Sequence, residues 1–201
     1  MLGQSLVLFV VALLLALVEI EIEGKHGWAE KIPTWYRTTG FGGKLWGFIM
    51  GGKPLTGYHL FMNALILMMF HLDFFAESEW SVKKELMVLA KYGVMATFWD
   101  FLWFVLNPYY GIRKYKRKNV WWFAKSHWIF GLFPIDYAMG LGFSLILAYL
   151  GERLEDGLVL IGLFFSFTLI IIIVSPLYRR WHIVMRKKDD RDKAGIFHPL
   201  P

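Results

Sequence analysis

Five side chains in this sequence are of types that move protons or hold metal ions: Glu19, Glu23, His59, Asp100 and His127. Carboxylates and imidazoles that converge from separate helices form mixed nitrogen and oxygen donor sets suited to a divalent cation. Without a metal the same groups can work as general acid and base, because histidine titrates near neutrality. The chain has no HExxH or HxxxH pattern, so ligands would arrive singly from distant segments.

Glu19 and Glu23 are one helical turn apart and share a face. Asn63 follows His59 by one turn, while Trp103 and Asn107 follow Asp100 by about one and two turns. The sequence therefore nominates Glu19, His59, Asp100 and His127 as catalytic groups. It nominates Glu19, Glu23, His59, Asp100 and His127 as ligands of a divalent metal ion, and Asn63, Trp103, Asn107 and Arg113 as contacts to substrate. Glu21 and Glu23, at the end of an apolar run, are also placed to reach for water. Asp136, just after Pro134, suits the first turn of a helix, where the dipole favours a carboxylate.

The elements that must position these groups follow from composition. The 201 residues are 57% hydrophobic and 19% charged, with a mean hydropathy of +0.45. A soluble domain of this size cannot bury so much apolar surface. Disorder is excluded by the same numbers. With no cysteine, disulfide scaffolds, thiolate metal sites and thiol nucleophiles are excluded as well. The fold expected is an all-α integral membrane protein, since unpaired backbone is not tolerated in lipid.

Five stretches are long enough to span: 2–22, 55–76, 82–106, 133–150 and 157–178. Residues 1–185 would form one membrane domain and 186–201 a cytosolic tail. Nothing basic precedes the first stretch, and glutamates stand where a cleavage site would be, so it reads as a retained helix and not a signal peptide. Eighteen of the 22 basic residues fall in 24–54, 107–132 and 179–201. The positive-inside rule puts those segments in the cytosol and the N-terminus outside. That bias, with attraction to anionic headgroups, accounts for a pI near 9.4 without a nucleic-acid partner.

The two long connections, 24–54 and 107–132, are rich in Trp, Tyr and Phe and are expected at the membrane interface over the helix ends. Within the first, GFIMGGK at 47–53 has phosphate-loop spacing. Pro54 stands where Ser or Thr would be needed, so the glycines read as bends. Four of the five stretches place an acid or histidine at the cytosolic level, and a charge in hydrocarbon needs partners. At the outer level His71, Asp73 and Glu77 face Lys91, with a Lys91–Asp73 pair expected as an orientation lock.

The function expected from these features is a multi-pass membrane enzyme using acid–base or metal-assisted chemistry on a membrane lipid or a lipid-like substrate. A non-catalytic subunit or assembly factor, packing its aromatic surfaces on a partner protein or a second copy, is the alternative. A carrier using Lys91, His71 and Asp100 is a third reading.

Overall fold

The structure is a computed structural model that describes residues 2–76 and 79–189. Eight α-helices account for most of them: α1 Leu2–Glu23, α2 Gly40–Ile49, α3 Gly57–Phe70, α4 Leu72–Ala76, α5 Val82–Leu106, α6 Gly111–Lys114, α7 Ile135–Leu150 and α8 Leu154–Lys187. The β-structure among the described residues consists of two antiparallel pairs of two-residue strands. Tyr36–Arg37 (β1) pairs with Leu55–Thr56 (β2), and Trp128–Ile129 (β3) with Phe133–Pro134 (β4).

Three helices, α1, α5 and α8, are long and apolar enough to cross a membrane. The other two apolar stretches form shorter helices than their sequences imply. The second breaks at His71, whose imidazole Nδ1 lies 2.7 Å from the Leu67 carbonyl and whose Nε2 lies 2.9 Å from Glu85. The fourth starts at Ile135, because Phe133 and Pro134 are used by β4. The fifth is longer than expected. Helix α8 runs on to Lys187, about 51 Å at 1.5 Å per residue, past the expected end of the span at 178. Residues 190–201 lie outside the described residues.

Helix α5 is the hub and packs on α1, α7 and α8. Its seam with α7 depends on small residues. A Cβ on Gly140 would come within 2.9 Å of the Thr97 hydroxyl, and one on Gly93 would overlap Ser144. Helix α1 buries Ser5, Phe9, Ala12, Ala16, Glu19 and Glu23, a stripe at alternating spacings of four and three, while Val7, Leu14 and Val18 face outward.

Contacts at both ends fix the helix directions. The C-terminal ends of α1 and α5 meet where Asn107 Nδ2 donates to the Gly24 carbonyl at 2.8 Å. Helix α8 reaches the same end: Arg179 donates to the otherwise unpaired carbonyl of Val105 at 2.6 Å, and His182 pairs with Glu21 at 2.9 Å. At the far end Lys91 meets Gln4, and Lys83 pairs with Glu152 at 2.6 Å. Helices α1, α5 and α8 therefore run one way, and α3 and α7 return.

The two long connections form a cap across the shared end. Trp28, Trp122, Phe123 and Trp128 are buried in one core cluster with Trp103 and Phe104, so these four aromatic residues, expected at a membrane surface, turn inward. Helix α2 turns Phe41, Leu45, Phe48 and Ile49 outward as one exposed apolar face.

Candidate functional site

The inward stripe of α1 ends in two acids. Glu19 and Glu23 are 8% and 6% exposed, and between them and the cap lies His59, also buried. One ligand-capable atom from each of the three lies within 4.8 Å of the others. Among the described residues this is the group whose donor atoms could share one ion.

Local structure holds each member. Thr56 caps α3 by accepting from the His59 backbone N–H at 3.1 Å, and the same hydroxyl lies 2.7 Å from His59 Nδ1. That leaves Nε2 as the nitrogen open to another partner. The Trp28 indole stacks on the imidazole with centroids 4.3 Å apart and is itself tied to the Pro54 carbonyl at 2.9 Å. Trp28 and Ala29 take left-handed backbone angles, φ of 54° and 55°. This tight bend aims the Ala29 N–H at Glu23 Oε1, 2.5 Å away. The Trp99 indole and Tyr58 hydroxyl stand beside the Glu19 carboxyl, without a hydrogen bond of normal geometry.

A second polar group adjoins the first. Lys53 is 5% exposed, with its ammonium 3.9 Å above the Phe123 ring, 5.2 Å from Trp28 and 3.5 Å from Asp136 Oδ1. Burial lowers the proton affinity of its amine below the ordinary lysine range, against the pull of Asp100 and Asp136. Gly51, at φ of 61°, is needed beside this pair, since a Cβ there would lie 2.5 Å from Asp136 Oδ1. Asp100 accepts a hydrogen bond from the Tyr137 hydroxyl and lies within electrostatic range of Glu19, Glu23 and Lys53.

The nominated residues separate accordingly. Glu19, Glu23 and His59 come together, with Asp100 next to them and engaged with Tyr137. Glu23 does not reach for water, because the Ala29 bend folds back over it; Glu21 remains largely exposed and pairs with His182. His127 is exposed on the cap and outside the three-residue group; its carbonyl accepts from Ile135 in the β3–β4 turn.

Asn63 and Asn107 serve the scaffold. Asn63 donates to the His59 carbonyl at 2.7 Å and accepts from Tyr92 at 2.6 Å. Asn107 bridges Gly24 and Tyr109. Trp103 is buried in the core, its indole N–H without a hydrogen-bond partner among the described residues, and Arg113 is exposed. At the far end His71 pairs with Glu85 and Lys91 with Gln4, and Lys91 stands about 13.5 Å along α5 from Asp100; the Asp73 side chain and Glu77 lie outside the described residues.

Lys53 and Tyr137 were not nominated by sequence. For Lys53 the cue lies in the phosphate-loop mimic itself, in which the lysine follows two glycines of left-handed backbone and precedes Pro54.

Comparison with protein-family models, with curated proteins and with solved structures returns no match.

Proposed function

We propose that the protein is a multi-pass membrane enzyme that acts on a lipid or lipid-like substrate at the capped end of its bundle, with Glu19, Glu23 and His59 as the chemical centre. Five crossings fit the alternating helix directions, and the exposed apolar faces of α1, α3, α7 and α8 suit contact with lipid. The basic bias of the capped end supports a cytosolic cap and an outside N-terminus.

The observation that carries this reading is a charge imbalance in the interior. Two buried carboxylates share a site with an imidazole, while the buried ammonium of Lys53 is turned toward Asp136. Carboxylates taken from water need a proton or a cation. Either supplies chemistry. A proton held between Glu19 and Glu23, with His59 beside it, makes an acid–base pair. The donor set of two carboxylates and one imidazole equally suits a divalent ion, with the Thr56 contact orienting the imidazole from behind. Such an ion would polarise a carbonyl or phosphoryl oxygen.

The test is metal and product analysis of the detergent-purified chain. Elemental analysis after loading with manganese or zinc should find one ion per chain that Glu19→Gln and His59→Ala both lose. Mass spectrometry should find a lipid consumed from a membrane extract by the natural chain and spared by Glu23→Gln. A chain that binds neither metal and changes no lipid would leave the group as an internal hydrogen-bonded network and end this reading.

A further inference from the structure

A cleft of about 550 Å³ opens on the lipid-facing flank of the bundle, between α5, α7 and α8 and beneath the β3–β4 hairpin. Its volume lies within the range of about 300–1,000 Å³ usual for small-molecule sites. Phe98, Phe101, Leu141 and Phe165 make its walls apolar along the helices. The hairpin tip at its rim exposes Phe130 and Leu132, 93% and 66% accessible, as a segment entering the bilayer surface would.

Two features make this more than an apolar groove. Tyr115 and Tyr137 both line it, stacked in parallel with centroids 6.3 Å apart. The Tyr137 hydroxyl donates to Asp100, which connects this wall to the polar interior. The Tyr115 hydroxyl is buried beside the Tyr137 hydroxyl, without a hydrogen bond of normal geometry. The second feature is charge. Lys116 lines the mouth, with exposed Arg113, Lys114, Arg117 and Lys118 in the same run.

We propose that the cleft is the binding site for one hydrocarbon chain of an anionic membrane lipid, with the headgroup held at Lys116. This deepens the reading above, naming the substrate class, and rests on it for the reaction but not for the binding. Charge complementarity favours a lipid over an apolar peptide: the walls accept a chain, the mouth accepts an anion, and the opening faces the bilayer. The occupant would lie across Tyr137 from Asp100.

The experiment uses the full chain in bilayer nanodiscs of phosphatidylcholine doped with phosphatidylglycerol that carries a diazirine on one acyl chain. After irradiation, adducts are mapped by mass spectrometry. They should concentrate on Phe101, Leu141 and Phe165, and Leu141→Trp, which fills the cleft, should reduce them about tenfold. Lys116→Glu should reduce labelling by the phosphatidylglycerol probe while leaving that by a phosphatidylcholine diazirine unchanged. Glu19→Gln should leave the adducts in place, so loss of chemistry and loss of binding are read separately. Adducts spread over α1, α3 and α8 in proportion to exposure would mean boundary lipid only and would overturn the proposal. Equal labelling by both probes, insensitive to Lys116→Glu, would overturn the headgroup assignment.

Discussion

Lys53 illustrates how a single residue changes meaning once its surroundings are known. In sequence it completes a failed phosphate loop, and in the structure it is a buried ammonium sandwiched by aromatic rings. Its folded-state proton affinity lies below the ordinary value of 10.5, because desolvation outweighs Asp100 and Asp136. Between the lowered value and 10.5 the unfolded chain binds more protons than the folded one, so this group makes stability rise with pH through that window. Thermal unfolding in detergent across the window should therefore show a positive slope that flattens in Lys53→Met; an unchanged slope would place the amine in water. Glu23 makes the complementary point, since its inward direction depends on a bend at Trp28 and Ala29 that composition does not announce.

At the scale of elements, the cap decides whether the ends of α1 and α5 stay together. Asn107 follows α5 because Pro108 stops the helix, and its amide then ties Gly24 to Tyr109. Asn107→Ala removes both bonds from a fully buried position and should cost about 1–3 kcal/mol. Gly27→Ala attacks the same joint by volume, since a Cβ there would overlap the Trp122 ring, and overpacking of this kind costs about 1–3 kcal/mol. Both variants should show lowered melting temperatures and weaker metal retention, because the cap carries Trp28 and Ala29 into the centre. Full stability in Gly27→Ala would mean that Trp122 packs elsewhere. Strict apolar runs made the existence of α1, α5 and α8 legible in sequence. The short lengths of α3 and α7 were not, because His71 and the β3–β4 pairing shorten helices whose hydrophobicity would have let them continue.

For the whole molecule, topology is the testable quantity. A return through α3 and another through α7 are needed to bring the ends of α1, α5 and α8 to one side. The chain contains no cysteine, so single substitutions report sidedness without background. Glu79→Cys and Lys118→Cys, both exposed, should react with a membrane-impermeant maleimide from opposite faces of sealed vesicles. Labelling of both from one face would remove the five-crossing arrangement. The sequence by itself determined the solvent this chain is built for, the apolar segments and the bias of basic residues, because these depend on transfer energies summed along the chain. It also singled out Glu19, His59 and Asp100, since ionisable groups in apolar runs are costly wherever they point. Only the tertiary structure decided which of them meet. It brought His59 to the Glu19 and Glu23 pair, placed His127 outside that group, and buried Lys53, because contacts between α1, α3 and the cap link residues far apart in the chain whose spacing carries no periodic signal.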